Sequence, residues 1–436
     1  MRISIFGCKL LGLVTAGGLA KEGNHVQLVS TDHFAENSKG GIGLTKGEPG
    51  LECLLSEQKL AKKLVYVSDW MGAIEHAEVI IISTPSWLEA LADDIIVKIG
   101  EIADKDIIVI NQSTFSVGKA IEFESKIKQL FRQRDVDFSV SVLSMPETIT
   151  KGSAVNDFFN PDRVILGGEN EEALTKVSVL MKPFYKQENA LKIMSSKAAE
   201  YTKFALNAIL ATRISLINEL SNSAELLDID FRDVREAIGS DKRIGFHYVN
   251  PGCGFGGPSF TADIHSLIET FEKEGIDSRL LVAAIAENEI QKEVLFRKAW
   301  RLFDNNLVDK HFAVWGLSFK PNTASVVNAP SLKLVKSLLA QGASVSVFDP
   351  LAGQNFMKNF AKSDRVSLVE TKYEALENAD AMFLMTEWQA FLALDIVELK
   401  KRMKQAIIFD GRNIYSPEKM AEDNIKYIGI GQGLVV

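Results

Sequence analysis

Apolar segments of strand length that alternate with helical segments place the strongest limit on how this chain folds. RISIFG at residues 2–7 predicts a buried strand, residues 10–23 predict a helix that ends at a glycine, and HVQLVS at 25–30 predicts the next strand. Further strand signals lie at 79–84, 106–114, 138–147 and 163–168. Because parallel strands need crossover connections, this alternation predicts a doubly wound parallel sheet.

The middle of the chain carries a helical pattern without strand signals. A helix is predicted from about Ser196 to Leu227, uninterrupted by glycine or proline, and more helix over 262–304. Strand signals return at 311–319, 343–349, 381–386 and 406–411. The predicted fold class is α/β, with two Rossmann-like doubly wound parallel-sheet domains joined by a long central helix and a helical dimerisation region. The predicted domains are 1–195, 196–304 and 305–436.

The composition argues against several classes of function. The net charge of −8 disfavours binding to nucleic acid or an anionic membrane, although it leaves room for a local basic pocket. No apolar run reaches the roughly 18 residues of a membrane helix, and the apolar start lacks a basic leader, so neither membrane insertion nor a signal peptide is expected. Three scattered cysteines and six histidines without close spacing predict a reducing cytoplasm, no disulfides and no metal site.

The loop after the first predicted strand departs from a dinucleotide fingerprint. In GCKLLG, Gly7, Lys9 and Gly12 take the positions of the three glycines of GxGxxG, so the second glycine is a lysine. The second strand ends in Ser30, where an NAD enzyme usually carries an acid for the ribose hydroxyls. Both a dinucleotide site with altered contacts and a Rossmann fold that binds dinucleotide poorly fit this pattern. A preference for NADP is also conceivable from Ser30, but no arginine follows this residue to hold the 2′-phosphate.

Polar side chains follow several predicted strands, at the end of the sheet where α/β proteins bind ligands. Thr114 and Glu147 follow strands of the first domain, and their alternative roles are helix caps or turn residues. Lys320 and Arg412 follow strands of the last domain. Two cations at one sheet edge would suit a phosphate or sugar hydroxyls, and the alternative is ordinary surface charge.

Two further groups of polar residues lie in the central region. Lys203 and Asn207 are four residues apart on the predicted long helix and share a face with Glu200, which also fits a solvated polar stripe. GFGGPSFTAD at 254–263 is rich in glycine, so its backbone can approach a ligand closely. Its hydroxyl, Ser259, and its carboxylate, Asp263, make it a candidate catalytic loop.

Taken in order, these segments resemble the UDP-glucose/GDP-mannose dehydrogenase family, most closely its UDP-glucose branch. The similarity covers residues 1 to about 430 and includes GEPGLE, STPS, QSTFSVG, MPE, AEYTKFALNAILATRISLINEL, NPGCGFGG, GLSFKPNT, TEWQAF and FDGRNIY. The family oxidises the C6 alcohol of a nucleotide sugar to a carboxylate with two NAD. The resemblance therefore implies an N-terminal NAD domain, a central helix with the interface of a homodimer, and a C-terminal domain that binds the nucleotide sugar.

The resemblance also implies roles for individual residues. Thr114 and Glu147 would order the catalytic water and substrate hydroxyls, and Lys203 would stabilise charge on the C6 oxygen. Asn207 and Asp263 would position water and substrate, with Asp263 as a general base. The implied substrate contacts are Phe255, Gly256, Lys320, Arg412 and, from the dimer partner, Arg243. The implied cofactor contacts are Gly7, Leu11, Gly12, Ser30, Thr84 and Thr114.

Five positions depart from the family pattern in ways that bear on chemistry. Ser259 stands where the family has its nucleophilic cysteine. Lys9, Ser30, Ala262 and Val327 replace a glycine, an acid, a lysine and an arginine at positions that the resemblance assigns to cofactor binding. Two hypotheses follow. The first is an NAD-dependent dehydrogenase with a slow or partial reaction, and the second is a family member that binds a nucleotide sugar without oxidising it.

Overall fold

Buried apolar strands build the first of two structural units, Met1–Leu206. Successive residues of its first strand face opposite sides, so Ile3 and Ile5 join one apolar core and Phe6 joins another. The computed structural model describes residues 1–30 and 48–432. Gly47, with which the GEPGLE motif begins, and residues 31–46 and 433–436 of the predicted domains lie outside the described residues.

The described part of the first unit contains an eight-stranded sheet flanked by helices. Its strands are β1 (Arg2–Phe6), β2 (His25–Val29), β3 (Leu64–Val67), β4 (Val79–Ile82), β5 (Ile107–Asn111), β6 (Val140–Ser144), β7 (Val164–Gly167) and β8 (Leu191–Met194). Its helices are Leu10–Lys21, Leu51–Leu60, Trp70–His76, Glu89–Ile102, Lys119–Gln133, Ala154–Phe159 and Glu171–Met181.

The strand order of this sheet, β3-β2-β1-β4-β5-β6-β7-β8, confirms the doubly wound prediction. The order reverses beside β1, because β1 pairs in parallel with both β2 and β4. Ligands of such sheets bind at the carboxyl ends of the strands near this reversal. The last two strands run the other way, since β6 meets β7 in an antiparallel contact between Ser144 and Gly167.

One uninterrupted helix, Ser196–Leu226, confirms the predicted long central helix. The helical stretch predicted over 262–304 is divided in the structure. Gly275, with φ of +70°, lies between the first two of its three helices, in a conformation that favours glycine. The helices after the long one are Phe231–Ser240, Phe260–Lys273, Arg279–Gln291 and Val294–Leu302.

The second unit, Asn207–Val436, contains a six-stranded parallel sheet within its described residues. The strands are β9 (His311–Trp315), β10 (Ser344–Phe348), β11 (Val366–Leu368), β12 (Ala381–Leu384), β13 (Ile407–Asp410) and β14 (Lys426–Ile428), in the order β11-β10-β9-β12-β13-β14. Its helices are Pro330–Ala340, Gly353–Met357, Gln389–Leu392, Ile396–Arg402 and Pro417–Glu422. Among the described residues of both units, no helix is both long and apolar enough to cross a membrane.

Candidate active site

The turn from β1 into helix Leu10–Lys21 lies so close to neighbouring backbone that two of its positions require glycine. A Cβ atom on Gly7, whose φ is +127°, would lie 2.2 Å from the carbonyl oxygen of Ser83. A Cβ on Gly12 would lie 2.0 Å from the carbonyl oxygen of Gly7. Lys9 caps the helix with extended backbone, φ −88°, so this position does not require glycine. The turn therefore fits a dinucleotide phosphate at the helix N-terminus, with a lysine side chain added.

The neighbouring strand ends carry hydroxyls where the sequence predicts cofactor contacts. Ser30 follows β2, is partly exposed, and accepts a hydrogen bond on its carbonyl oxygen from the Trp70 indole at 3.2 Å. Thr84 follows β4, and its backbone N–H donates to the Ser113 hydroxyl at 2.9 Å. Leu11 lies in the first turn of the helix and is partly buried. These positions lie near the glycine turn, and position 30 offers a hydroxyl in place of a carboxylate.

A small pocket at the ends of β5 and β6 brings Thr114 and Lys203 together. The ammonium of Lys203 donates to the carbonyl oxygen of Glu147 at 2.9 Å and to its carboxylate Oε1 at 3.3 Å. Glu147 Oε2 is buried and has no hydrogen-bond partner among the described residues. Lys203 is only 12% exposed, so it does not belong to a solvated stripe. The pocket is thus lined by a cation, Lys203, which Glu147 holds in place.

Neither Thr114 nor Glu147 caps a helix in the structure, which removes that alternative. Helix Lys119–Gln133 starts at Gly118, and helix Ala154–Phe159 starts at Ser153. The capping role falls instead to Glu200, which lies on the long helix near Lys203. Its carboxylate accepts hydrogen bonds from the N–H of Gly118 at 2.6 Å, the N–H of Ala120 at 3.0 Å and the hydroxyl of Ser144 at 3.0 Å.

Glu200 therefore has a structural task that its place on the helix did not reveal. The residue is 6% exposed, and burial raises the pKa of its carboxyl, while the three hydrogen bonds oppose that rise. A carboxylate at the N-terminus of a helix also interacts favourably with the helix dipole. Glu200 thus fixes the start of helix Lys119–Gln133 and the loop that carries Thr114.

In the second unit, the glycine-rich loop leads directly into helix Phe260–Lys273. Ser259 is the residue that precedes the helix and is exposed, with no side-chain capping bond. Asp263, one turn later, is 3% exposed and accepts a hydrogen bond from Asn207 Nδ2 at 2.6 Å. The loop itself packs tightly, since a Cβ on Gly256 would lie 2.3 Å from the carbonyl oxygen of Asn328. Asn207, Ser259 and Asp263 thus share one local arrangement.

The predicted cations of the second unit have different surroundings. Arg412 follows β13, is 17% exposed, and contacts the carbonyl oxygen of Met385 at 2.9 Å and the carboxylate of Glu387 at 3.1 Å, which is unlike ordinary surface charge. Lys320 is partly exposed, with its ammonium 5.7 Å from the ring centre of Phe319. Phe255 is buried in the loop.

Arg243 lies apart from these groups and pairs with Asp241 at 2.6 Å. Its side chain is 88% exposed. The role of Arg243 toward a dimer partner stays a prediction.

Asp349 lies at a strand end, where a carboxylate could bind a ligand, but its hydrogen bonds give it a structural role. It follows β10, a place that corresponds to Ser30 after β2. Its carboxylate accepts the N–H of Leu317 at 2.7 Å and of Ser318 at 3.0 Å, as well as the indole N–H of Trp388 at 3.1 Å. The acid is therefore committed to the turn after β9. Among the described residues, no cluster of His, Cys, Asp and Glu could hold a metal ion.

Comparisons with known proteins identify matches along both units. Three models of the UDP-glucose/GDP-mannose dehydrogenase family match: the NAD binding domain at residues 1–187, the central domain at 197–290 and the UDP binding domain at 313–417. The UDP-glucose 6-dehydrogenase of Pseudomonas aeruginosa is 37% identical over 99% of this chain and 98% of its own length. That of Rhizobium meliloti is 31% identical over 99% of this chain and 100% of its own.

A solved structure supports the same assignment. The UDP-glucose dehydrogenase of Pyrobaculum islandicum superposes with a TM-score of 0.84 at 27% identity, over 99% of this chain and 97% of that one. The comparisons therefore confirm the family resemblance and the fold of two Rossmann-like domains with a long central helix, whereas the helical dimerisation region stays a prediction. The individual site residues and the three domain boundaries stay predictions.

Replacement of Glu200 by alanine should destabilise the protein by about 2–4 kcal/mol, because two backbone N–H groups and a hydroxyl lose their acceptor. Thermal and urea unfolding, followed by circular dichroism, measure this loss. Glu122→Ala is the matched control, since its carboxylate is 67% exposed and pairs with Lys119 at 3.5 Å. That change should cost less than about 1 kcal/mol. Equal losses in the two variants would contradict the capping role.

Proposed function

The chain belongs to the UDP-glucose/GDP-mannose dehydrogenase family, and we propose that it oxidises the C6 alcohol of UDP-glucose or a close relative with NAD. The observation that carries this proposal is the survival of two polar pairs, Lys203 with Glu147 and Asn207 with Asp263. Alcohol oxidation needs a base for the proton and a cation for the developing charge. The aligned UDP-glucose 6-dehydrogenases support the substrate class.

In the first oxidation, the alcohol becomes an aldehyde, and different residues accept the proton, stabilise the charge and orient the substrate. When bound, NAD accepts the hydride from C6. Asp263, whose carboxylate Asn207 orients at 2.6 Å, takes the proton of the alcohol. Lys203, held on the carbonyl oxygen of Glu147, donates a hydrogen bond to the C6 oxygen and stabilises its negative charge. Thr114, which lines the pocket, and Glu147, whose side chain is 21% exposed, orient the sugar hydroxyls and the water.

The second oxidation is the step that this chain performs poorly under the proposal. Ser259 can add to the aldehyde as a hemiacetal, lose a second hydride to give an ester, and release the acid when water cleaves that ester. A thiol has a pKa of about 8.5 and presents some thiolate near neutral pH, whereas a serine hydroxyl needs a base to become nucleophilic. Ser259 is exposed and makes no capping bond. The aldehyde, or slow acid formation, is therefore the proposed outcome.

The cofactor contacts are weaker in the same proposal. Each lost hydrogen bond to a charged group costs roughly 1.5–3 kcal/mol, so the serine at Ser30 and the valine at Val327 together lower NAD affinity by on the order of a hundredfold or more. Lys9 recovers part of this through the cofactor phosphates. The active form is a cytoplasmic homodimer in which Arg243 of each subunit reaches the substrate of the other, and its 88% exposure suits that role.

A second candidate function is binding of a nucleotide sugar without oxidation. It is favoured by one specific observation: four of the five altered positions, Lys9, Ser30, Ala262 and Val327, are those that the resemblance assigns to the cofactor, and the polar residues assigned to the substrate are retained. Calorimetry separates the two candidates. UDP-glucose binding without detectable NAD binding would establish the second candidate and exclude the dehydrogenase.

The purified protein with UDP-glucose and NAD should form about one NADH per sugar quickly and a second one slowly or not at all. Ser259→Cys should raise this ratio toward two, because a thiolate captures the aldehyde more readily than a hydroxyl does. Absorbance at the NADH band with chromatography of the sugar products measures both. Ser259→Ala is the control and should keep the first oxidation. A fast release of two NADH by the unsubstituted chain would refute the slow second step.

Ser30→Asp should tighten NAD binding by about 10- to 100-fold, because the new carboxylate accepts hydrogen bonds from the adenosine ribose. NADP binding should weaken, since the same carboxylate repels the 2′-phosphate. Isothermal titration calorimetry with each dinucleotide measures both effects. Ser30→Asn, of equal size but neutral, is the control and should change either affinity little. Identical behaviour of the two variants would show that Ser30 lies away from the ribose.

A further inference from the structure

The loop of residues 252–257 is irregular backbone that lies buried. Gly254 and Gly257 have φ of +88° and +102°, so the loop can form neither a helix nor a strand ladder. Its N–H and C=O groups still need partners, because an unpaired buried backbone group costs as much as a lost hydrogen bond. The N–H of Cys253 donates to the carbonyl oxygen of Gly411 at 3.0 Å, and that of Gly257 to the carbonyl oxygen of Val327 at 2.8 Å.

Further partners come from three side-chain amides, Asn218, Asn288 and Gln291. Together with Asn222, which binds Gln291, we call these residues the amide cluster. Both polar groups of Gly252 are used, since its N–H donates to Asn218 at 2.9 Å and its carbonyl oxygen accepts from Gln291 at 2.7 Å. Asn222 in turn donates to Gln291 at 2.7 Å. An amide suits this task because it offers a donor and an acceptor together.

Asn288 makes the most specific contact of the cluster. Its Oδ1 accepts the N–H of Phe255 at 2.8 Å, and its Nδ2 donates to the carbonyl oxygen of the same residue at 3.1 Å. Asn288 is 1% exposed, so water does not compete for these bonds. One side chain therefore fixes both the position and the orientation of one peptide segment, much as a neighbouring strand would.

Phe255 packs against the helix that carries residues assigned to catalysis, so its position affects theirs. Its ring meets that of Phe260 edge to face, with centres 5.0 Å apart. Phe260 is the first residue of the helix that follows Ser259 and carries Asp263. Both phenylalanines pack in one apolar cluster with Ala211 of the long helix. Asn288 lies behind this chain of contacts, on helix Arg279–Gln291, and is itself no part of the proposed substrate contacts.

We propose that Asn288 is a positioning residue for sugar recognition, acting through the two backbone groups of Phe255. The inference rests on the proposed function, because it takes the nucleotide sugar as the ligand of this loop. Without these two hydrogen bonds, the backbone of Phe255 can shift, and the sugar then loses its packing contact with this residue. The nucleotide, assigned to Lys320 and Arg412, keeps its contacts.

Calorimetry with UDP and with UDP-glucose tests this role, because the ratio of the two dissociation constants reports the contribution of the sugar alone. Asn288→Ala should weaken UDP-glucose about tenfold or more while UDP changes less than about threefold. Asn288→Asp keeps the volume and the acceptor for Phe255 N–H but loses the donor, and it should reduce the ratio in the same direction. This second variant serves where alanine impairs folding.

Asn24→Ala is the matched control, since Asn24 is a buried amide of the first unit that makes two hydrogen bonds, to the N-terminal amine at 3.0 Å and to Leu19 at 2.9 Å. It should lower the melting temperature without changing the ratio. Hydrogen exchange should show lost protection of the Phe255 amide in Asn288→Ala and not in Asn24→Ala, whereas Asn288→Asp, which keeps the acceptor, should retain most of that protection.

The possible outcomes separate the inference from the function on which it rests. A preserved ratio in folded Asn288 variants would overturn the positioning role and leave the proposed function standing. An unsubstituted chain that binds UDP-glucose and NAD but forms no NADH would overturn the proposed function. An unsubstituted chain that binds UDP and UDP-glucose equally would overturn the positioning role, because the sugar would then contribute nothing for Asn288 to support. A ratio that collapses in the Asn288 variants and persists in Asn24→Ala supports both.

Discussion

Irregular backbone at the functional ends of both sheets needs buried hydrogen-bond partners, and the rest of the structure depends on the side chains that supply them. Glu200 serves the start of helix Lys119–Gln133, Asn288 serves the glycine-rich loop, and Asp349 serves the turn after β9. Asp410, fully buried, accepts the N–H groups of Arg412 and Ile414 and the hydroxyl of Tyr427. Removal of any one of these side chains would leave buried polar groups unpaired, at a cost of several kcal/mol in the free energy of unfolding.

These residues explain how far the sequence could predict the molecule. The long helix and the main strands followed from periodicity, because their apolar faces are local signals. The short strands β3, β8, β11 and β14 were missed, since the exposed edge strand β8, for example, carries little apolar pattern. Glu200 looked like a member of a polar stripe, and Asn288 carried no signal at all. Both act on segments distant in sequence, 80 and 33 residues away, which only the fold brings close.

Three of the positions that depart from the family pattern are exposed, unlike the buried residues that bind the backbone. Lys9 and Ser259 are exposed, Val327 is 48% exposed, and Lys9 has an extended backbone that any residue can adopt. The carbonyl oxygen of Val327 accepts the buried N–H of Gly257, but that oxygen belongs to the backbone and is present whatever the side chain. Substitution at such positions costs the fold little, whereas Gly7 and Gly12, which touch backbone oxygens, are retained. Substitutions at Lys9, Ser259 and Val327 are therefore compatible with an unchanged architecture.

This separation bears on how Ser259 should be interpreted. If the loop had lost its supports together with its cysteine, the serine would mark a decayed site. Instead the amide cluster still holds residues 252–257, and Asn207 still orients Asp263 at 2.6 Å. A thiol at an exposed position just before helix Phe260–Lys273 needs no extra buried volume, and the N-terminus of a helix lowers the pKa of a thiol. The loop is therefore held in place by buried hydrogen bonds in which the side chain of Ser259 takes no described part, so a serine or a cysteine at this position leaves the loop equally well supported.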